Sequence, residues 1–290
     1  MLYPISFSIP ACKIVAEVPE KKQMLAKIIP GKSETYIYKT EAEYYRDYKN
    51  SIFGITHKKG GWDCMRHYEI LANGCIPYFT DLESCPETML TLFPKKLIKE
   101  AMEAATKPGF DAKSHIEKLL EFTRANLTTD AMAKYVLEKS GNQEAKSILY
   151  ISGDDYPDYL RCMTLHGFKL LFGKECHDAN CIPHLYDSFP ETEMSSLYGG
   201  GFSYARLLSR KDMRDDRRDY TLEEDILKHR YDIIIFGSVH RGLPLWDLVT
   251  QVYPPDKIIY FCGEDGHTDD EVCLVKSLSM FSPCFLREIE

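Results

Sequence analysis

The chain has 290 residues, with 36 basic and 44 acidic side chains and a net charge of −8. That length allows two medium α/β domains with full cores, and the acidic balance, with no long basic run, argues against a nucleic-acid protein. No apolar run reaches membrane-spanning length, Pro4 and Pro10 interrupt the stretch where a signal peptide needs unbroken apolar residues, and ten scattered cysteines read as reduced thiols, so a cytoplasmic protein with no membrane partner is expected.

In chain order, residues 1–50 begin with a strand predicted over Tyr3–Ile9 and another over Thr35–Tyr38, on which Tyr36 and Tyr38 would share one side. A tyrosine-rich charged helix, EAEYYRDYKN, follows. These tyrosines can stack on a base, although aromatic residues near a helix end more often pack as core or lid.

The stretch from Ser51 to Phe79 reads as strand, basic glycine loop, helix, glycine stop, strand. Ile52–Ile55 suit a buried strand, Lys58-Lys59-Gly60-Gly61 break it, Asp63 is placed to cap a helix, and Asn73-Gly74 end that helix through a left-handed residue. Such a unit captures anions at the helix N-terminus, where unpaired N–H groups and the macrodipole meet negative charge. Asp63, Arg66 and Glu69 follow at i, i+3 spacing, so a diphosphate and a ribose could share one stripe. The same spacing suits solvated surface salt bridges, worth a few tenths of a kcal/mol. The coincidence of loop, helix start and charges at the carboxyl end of a strand favours a site.

After Phe79 come a loop, a helix with Leu97, Ala101 and Met102 on its apolar side, and a second amphipathic helix with Ser114 and Glu117 in capping-box spacing. The polar joint Ser140-Gly141-Asn142-Gln143 divides the chain into domains 1–142 and 143–290. Beyond it, SILYISG, YDIIIFGS and KIIYFCGED read as strands, with DDYPDYLRCMTLHGFKLLFG and PLWDLVTQVY as helices, which predicts a parallel Rossmann-like sheet. Between Cys176 and Asp219, the run RKDMRDDRRDY reads as a solvated loop or helix face.

Three loops at the carboxyl ends of these strands carry polar side chains: Asp154-Asp155, Ser238-Val239-His240-Arg241 and Glu264-Asp265-Gly266-His267. A cleft lined with His240, Arg241, Glu264, Asp265 and Asp155 suits hydroxyl recognition and proton abstraction, although strand-end loops are polar in any case. Cys176, His177, Cys181 and His184 stand in C-x4-C-x2-H spacing, which fits no usual pair of zinc knuckles, and Gly199-Gly200-Gly201 lacks a GxGxxG pattern. No two aspartates stand in D-x-D spacing, so Arg66, Lys58, Lys59 and the helix N-terminus would balance a diphosphate without a metal, and no cofactor is expected.

The segment KKGGWDCMRHYEILANGCIPYF resembles the donor-binding segment of exostosin-type glycosyltransferases, with Arg66, Glu69 three residues on, and Gly74-Cys75-Ile76-Pro77 in the same order. The likeness is strong over this segment and moderate over residues 34–140. The extended form, with TYIY, EYYRDY, PDYLR, LHGFK, FGSVHRG and GED, is similar to cytoplasmic exostosin-like transferases of large algal viruses. The resemblance implies a GT-B fold of two Rossmann-like domains facing a cleft, inversion at the anomeric carbon, a UDP-sugar donor with xylose as its sugar, a glycan acceptor of the capsid, and work in the host cytoplasm. Glu69 would hold the ribose and Arg66 the diphosphate. In that family the motif sits in the later half of the catalytic domain, so an exchanged domain order is expected here, and no membrane anchor like that of animal relatives is expected.

The expectation is therefore a metal-independent inverting glycosyltransferase. Residues 34–80 would bind the donor through Tyr36, Tyr38, Thr56, Lys58, Lys59, Gly60, Gly61, Arg66 and Glu69, and residues 147–290 would bind the acceptor through Arg241, Glu264 and Asp265. Asp63 is the first candidate for the general base, followed by Asp155 and His240. The alternative is a non-catalytic carbohydrate- or nucleotide-binding scaffold with a transferase fold. A nucleotide-sugar epimerase or dehydrogenase is disfavoured, because no dinucleotide fingerprint follows any predicted strand.

Overall fold

The computed structural model describes residues 1–266 and 268–288. The protein is α/β and divides into two compact units, one of residues 6–128 and one of residues 1–5 with residue 129 onward. The division at Thr128–Thr129 lies ahead of the polar joint Ser140–Gln143. Strand β1 (Leu2–Pro4) belongs to the larger unit; of the predicted strand Tyr3–Ile9, Tyr3 and Pro4 join its ladder and Ile9 makes an isolated bridge to Thr128.

The smaller unit holds a three-stranded parallel sheet in the order β2 (Gln23–Leu25), β3 (Ser51–Thr56), β4 (Ile76–Phe79). Helix α1 (Glu41–Asn50) precedes β3 and is capped by the Thr40 hydroxyl, and α2 (Met65–Ala72) connects β3 to β4. Helices α3 (Lys95–Ala104) and α4 (Ala112–Asn126) follow. Gly54 lets both connecting helices close on β3, since a Cβ there would stand 3.0 Å from Ile70 and 3.1 Å from Tyr48. Gly74 ends α2 with φ +61°, while the N–H groups of Gly74 and Cys75 donate to Leu71 and Ile70 carbonyls, a left-handed stop of the expected kind.

Three local expectations give way to geometry here. Residues 33–35 form a 3-10 turn rather than a strand, so Tyr36 and Tyr38 do not share a strand face. The N-cap of α2 is Cys64 with no side-chain cap bond, because the Asp63 carboxylate turns into the core instead. Helix α4 starts two residues before Ser114, with the Asp111 side chain accepting from the Ser114 N–H, so the Ser114–Glu117 pair is not a capping box.

The larger unit holds a six-stranded parallel sheet in the order β1-β9-β8-β7-β5-β6. Helix α5 (Thr129–Lys139) leads into β5 (Ile148–Ile151), then α6 (Tyr159–Phe172) and β6 (Cys176–Ala179). Short helices α7 (Arg210–Met213) and α8 (Leu222–Leu227) precede β7 (Ile233–Phe236), followed by α9 (Trp246–Val252), β8 (Ile258–Cys262), α10 (Asp269–Ser279) and β9 (Cys284–Leu286). Every residue of β5, β7 and β8 is buried, as continuous apolar runs covered on both faces should be. Chain direction across the sheet reverses between β5 and β7: β6 is added on one side of β5, and β7, β8 and β9 on the other.

Strand β6 went unpredicted because two of its four buried residues, His177 and Asp178, are polar. His177 pairs with Asp219 at 2.9 Å, while Asp178 pairs with Lys169 at 2.6 Å and Arg214 at 3.3 Å. The run RKDMRDDRRDY is largely solvated as expected, with Lys211, Asp212, Asp216, Arg217, Asp219 and Tyr220 exposed, but Arg214 and Arg218 turn inward and are buried, and Arg214 binds Asp219. Buried charges persist only when paired.

Candidate functional site

Helix α2 buries seven of its eight residues, and Arg66 alone keeps partial exposure. Asp63 and Glu69 are only 3% and 5% exposed, so the stripe Asp63, Arg66, Glu69 is not a solvated salt-bridge face. Its members have distinct tasks. The Asp63 carboxylate accepts from the Phe7 N–H at 2.7 Å and from the Tyr68 hydroxyl at 2.7 Å, which ties the start of the unit to α2. Glu69 accepts from the Tyr44 hydroxyl at 2.7 Å, and Tyr48 donates to Tyr44 at 3.2 Å. Burial, then the Glu69 carboxylate, push the Tyr44 phenol well above its usual range, so it remains a donor.

Arg66 donates from Nη2 to the Tyr36 hydroxyl at 3.0 Å, and Lys59 donates to the same oxygen at 3.4 Å. The Tyr36 ring also lies beneath both cations, 5.7 Å from Lys59 Nζ and 5.9 Å from the Arg66 guanidinium carbon. Lys58 Nζ stands 5.6 Å from the buried Trp62 ring, and its backbone N–H donates to Asp81 at 2.9 Å, fixing the loop start. Arg66 Nη1 is buried with no hydrogen-bond partner among the described residues. A guanidinium with an unused buried arm, next to Lys59, is a ready donor site for an oxyanion.

The remaining donor candidates divide. Gly60 is exposed and Gly61 buried in the loop, where Lys59 N–H donates to the Gly61 carbonyl. Thr56 is fully buried and paired at 2.9 Å with His67 Nδ1, while His67 Nε2 donates to the Trp62 carbonyl at 3.0 Å. This pair props the loop from below. Burial lowers the His67 pKa to about 3, so the imidazole is neutral and Thr56 donates to it. Tyr38, whose ring centre lies 6.4 Å from that of Tyr44, lines a recess of about 330 Å³ with Gln23, Lys27, Arg46 and Asp47. Burial, then Asp47, push its phenol up to about 12.

In the larger unit the loops after β5, β7 and β8 share one edge of the sheet, as neighbouring parallel strands require. Arg241 stands 3.9 Å from both Asp158 and Glu264, and its guanidinium carbon lies 4.5 Å from the centre of the Tyr156 ring. Fully buried Arg161 donates to the Asp154 carboxylate at 3.1 Å and to the Asp154 carbonyl at 2.8 Å, which shapes the loop carrying exposed Asp155. Asp265 pairs with Arg287, and exposed His240 pairs through Nδ1 with Glu271. The Thr268 backbone N–H, then His240, pull the Glu271 carboxyl down to about 2. His267 lies outside the described residues.

Reading the residues alone missed Trp62, Asp81, Tyr156 and Glu271. Only Glu271 had a visible signal, the T-x-x-E spacing from Thr268 that the structure makes a capping box. Cys176, His177, Cys181 and His184 go to separate partners: His177 to Tyr231 and Asp219, His184 to Cys162 at 3.4 Å, and Cys181 to Arg210 at 3.7 Å. No group of three potential metal ligands is assembled among the described residues. No helix among them is long and apolar enough to cross a membrane. Comparison with protein-family models, with curated proteins and with solved structures found no match.

Proposed function

We propose that the protein is a metal-independent inverting glycosyltransferase of the exostosin-like, GT-B type, moving a sugar, with xylose the first choice, from a UDP-sugar to a glycan hydroxyl. The observation that carries the reading is the buried Nη1 of Arg66, without a hydrogen-bond partner among the described residues, with Lys59 on the same Tyr36 hydroxyl at the mouth of the β3–α2 loop. In this reading Arg66 and the two lysines take the diphosphate, and Glu69, whose carboxylate has several acceptor sites, takes a ribose hydroxyl beside Tyr44. As the glycosidic bond breaks, negative charge grows on the leaving UDP. Preorganised donors stabilise that state, each worth about 2.7–4 kcal/mol in comparable sites.

Asp63 is set aside as the base, because both carboxylate oxygens already accept from buried donors. Asp155 and His240 remain in the larger unit, where Arg241, Glu264 and Asp265 would recognise the acceptor. The likeness to capsid-glycan transferases of large viruses suggests a capsid-linked acceptor and work in the host cytoplasm. A thermal-shift screen with UDP, UDP-sugars and uridine, run with EDTA, tests the donor part. UDP at 100 times its dissociation constant adds about 2.7 kcal/mol of stability, whereas uridine alone should add far less. Equal shifts for UDP and uridine would remove the diphosphate from the reading.

A further inference from the structure

The edge of the six-stranded sheet is built more completely than polar strand-end loops require. Because the strand order reverses between β5 and β7, the space outside their carboxyl ends is the topological switch point, where open α/β sheets take ligands. Its floor is pressed backbone to backbone, since a Cβ on Gly153 would stand 1.7 Å from the Arg241 carbonyl oxygen. Two hydroxyls following these strands, Ser152 and Ser238, are 0% and 2% exposed and have no hydrogen-bond partner among the described residues. Buried hydroxyls in that state are open to a water or a bound group.

The charge at this edge selects the ligand. Asp154 takes Arg161, Asp265 takes Arg287, and Arg241, whose buried Nε has no hydrogen-bond partner among the described residues, stands 3.9 Å from both Asp158 and Glu264, so the carboxylates outnumber the one guanidinium left for a ligand and disfavour a phosphate. Carboxylates and a guanidinium side by side instead match hydroxyls that both donate and accept. The Tyr156 ring, backed by Arg241, is 54% exposed and offers a flat apolar face. His240 donates from Nδ1 to Glu271, which fixes the tautomer whose Nε2 accepts.

We propose that this edge binds a neutral glycoside, with Tyr156 against a sugar face, Arg241, Asp158 and Glu264 on its hydroxyls, and His240, positioned by Glu271, taking a hydroxyl proton on Nε2. Only the last step rests on the transferase reading. There the proton passes to Nε2, the hydroxyl oxygen's electron pair forms the new bond to the anomeric carbon, and the pair of the broken C–O bond leaves with UDP.

Saturation-transfer NMR on the full chain, without nucleotide, tests the binding with p-nitrophenyl glycosides of xylose, glucose, galactose and mannose. At least one glycoside should be saturated, with the signal lost in Tyr156→Ala and kept in Arg66→Ala, so failure of the donor reading leaves this result untouched. No saturation across the panel, or a signal that survives Tyr156→Ala, overturns the site. The ¹⁵N signals of His240 test the positioning role independently of turnover. The proton should reside on Nδ1 in the wild type and lose that preference in Glu271→Gln, whereas an Nε2-protonated wild type overturns the assignment of the base.

Discussion

Arg66 donates to the Tyr36 hydroxyl at 3.0 Å with one nitrogen while its other terminal nitrogen is buried without a partner among the described residues. Tyr36 is 44% exposed, so the contact can be exchanged for a ligand oxygen without opening the core. Hydrogen bonds to charged groups contribute about 1.5–3 kcal/mol. Arg66→Lys keeps the charge but loses the fork, and calorimetric titration with UDP should show affinity falling about tenfold or more. Unchanged UDP affinity in Arg66→Lys would remove the guanidinium from the site.

Asp63 is predicted to matter for stability and not for the nucleotide. Asp63→Asn replaces one of two buried acceptor oxygens with a donor facing either the Phe7 N–H or the Tyr68 hydroxyl. The expected cost is about 1–3 kcal/mol, read as a lower urea midpoint, with UDP affinity retained. A variant as stable as the wild type that no longer turns over would restore Asp63 as the base.

Acid sensitivity should come from two buried imidazoles. Burial holds His67 at about 3 and His184 at about 4, below their ordinary value of 6.5. The unfolded chain therefore binds more protons than the folded one between those values, so the stability they contribute is present above pH 6.5 and is lost as pH falls toward 4 and 3. Each should add a slope of about 1.4 kcal/mol per pH unit inside its window. Urea melts between pH 7 and 4.5 check this, and His67→Gln should flatten the slope whatever it does to stability at pH 7.

Gly153 should tolerate no side chain. A Cβ would overlap the Arg241 carbonyl, so Gly153→Ala must move the β5 and β7 loops apart, at about 1–3 kcal/mol or more. Chemical shifts in the 237–242 loop should move, and an unperturbed loop would show that the close approach is absent in solution.

The strands β3, β4, β5, β7 and β8 were legible because buried parallel strands are continuous apolar runs, and α2 was legible because Asn73-Gly74 is a strong stop. What stayed hidden depends on partners far away in sequence. Strand β6 carries His177 and Asp178, polar residues that only Asp219, Lys169 and Arg214 make buriable. Asp63 reads locally as a helix cap, yet the Phe7 N–H, 56 residues away, claims it. Among the site residues, Arg66, Lys59 and Tyr36 do come together, whereas Thr56 turns out to be a prop under the loop and Tyr38 lines a recess with Arg46 and Asp47 beside the Tyr44 ring.

The central claim is most directly tested by UDP release from UDP-xylose and other UDP-sugars, measured with glycan acceptors and EDTA for the wild type and Arg66→Ala. The account predicts acceptor-dependent release by the wild type and a loss of about tenfold or more in Arg66→Ala, equivalent to at least about 1.4 kcal/mol of transition-state stabilisation. Binding of UDP-sugars with no release for any acceptor, or release by Arg66→Ala at the wild-type rate, would contradict it.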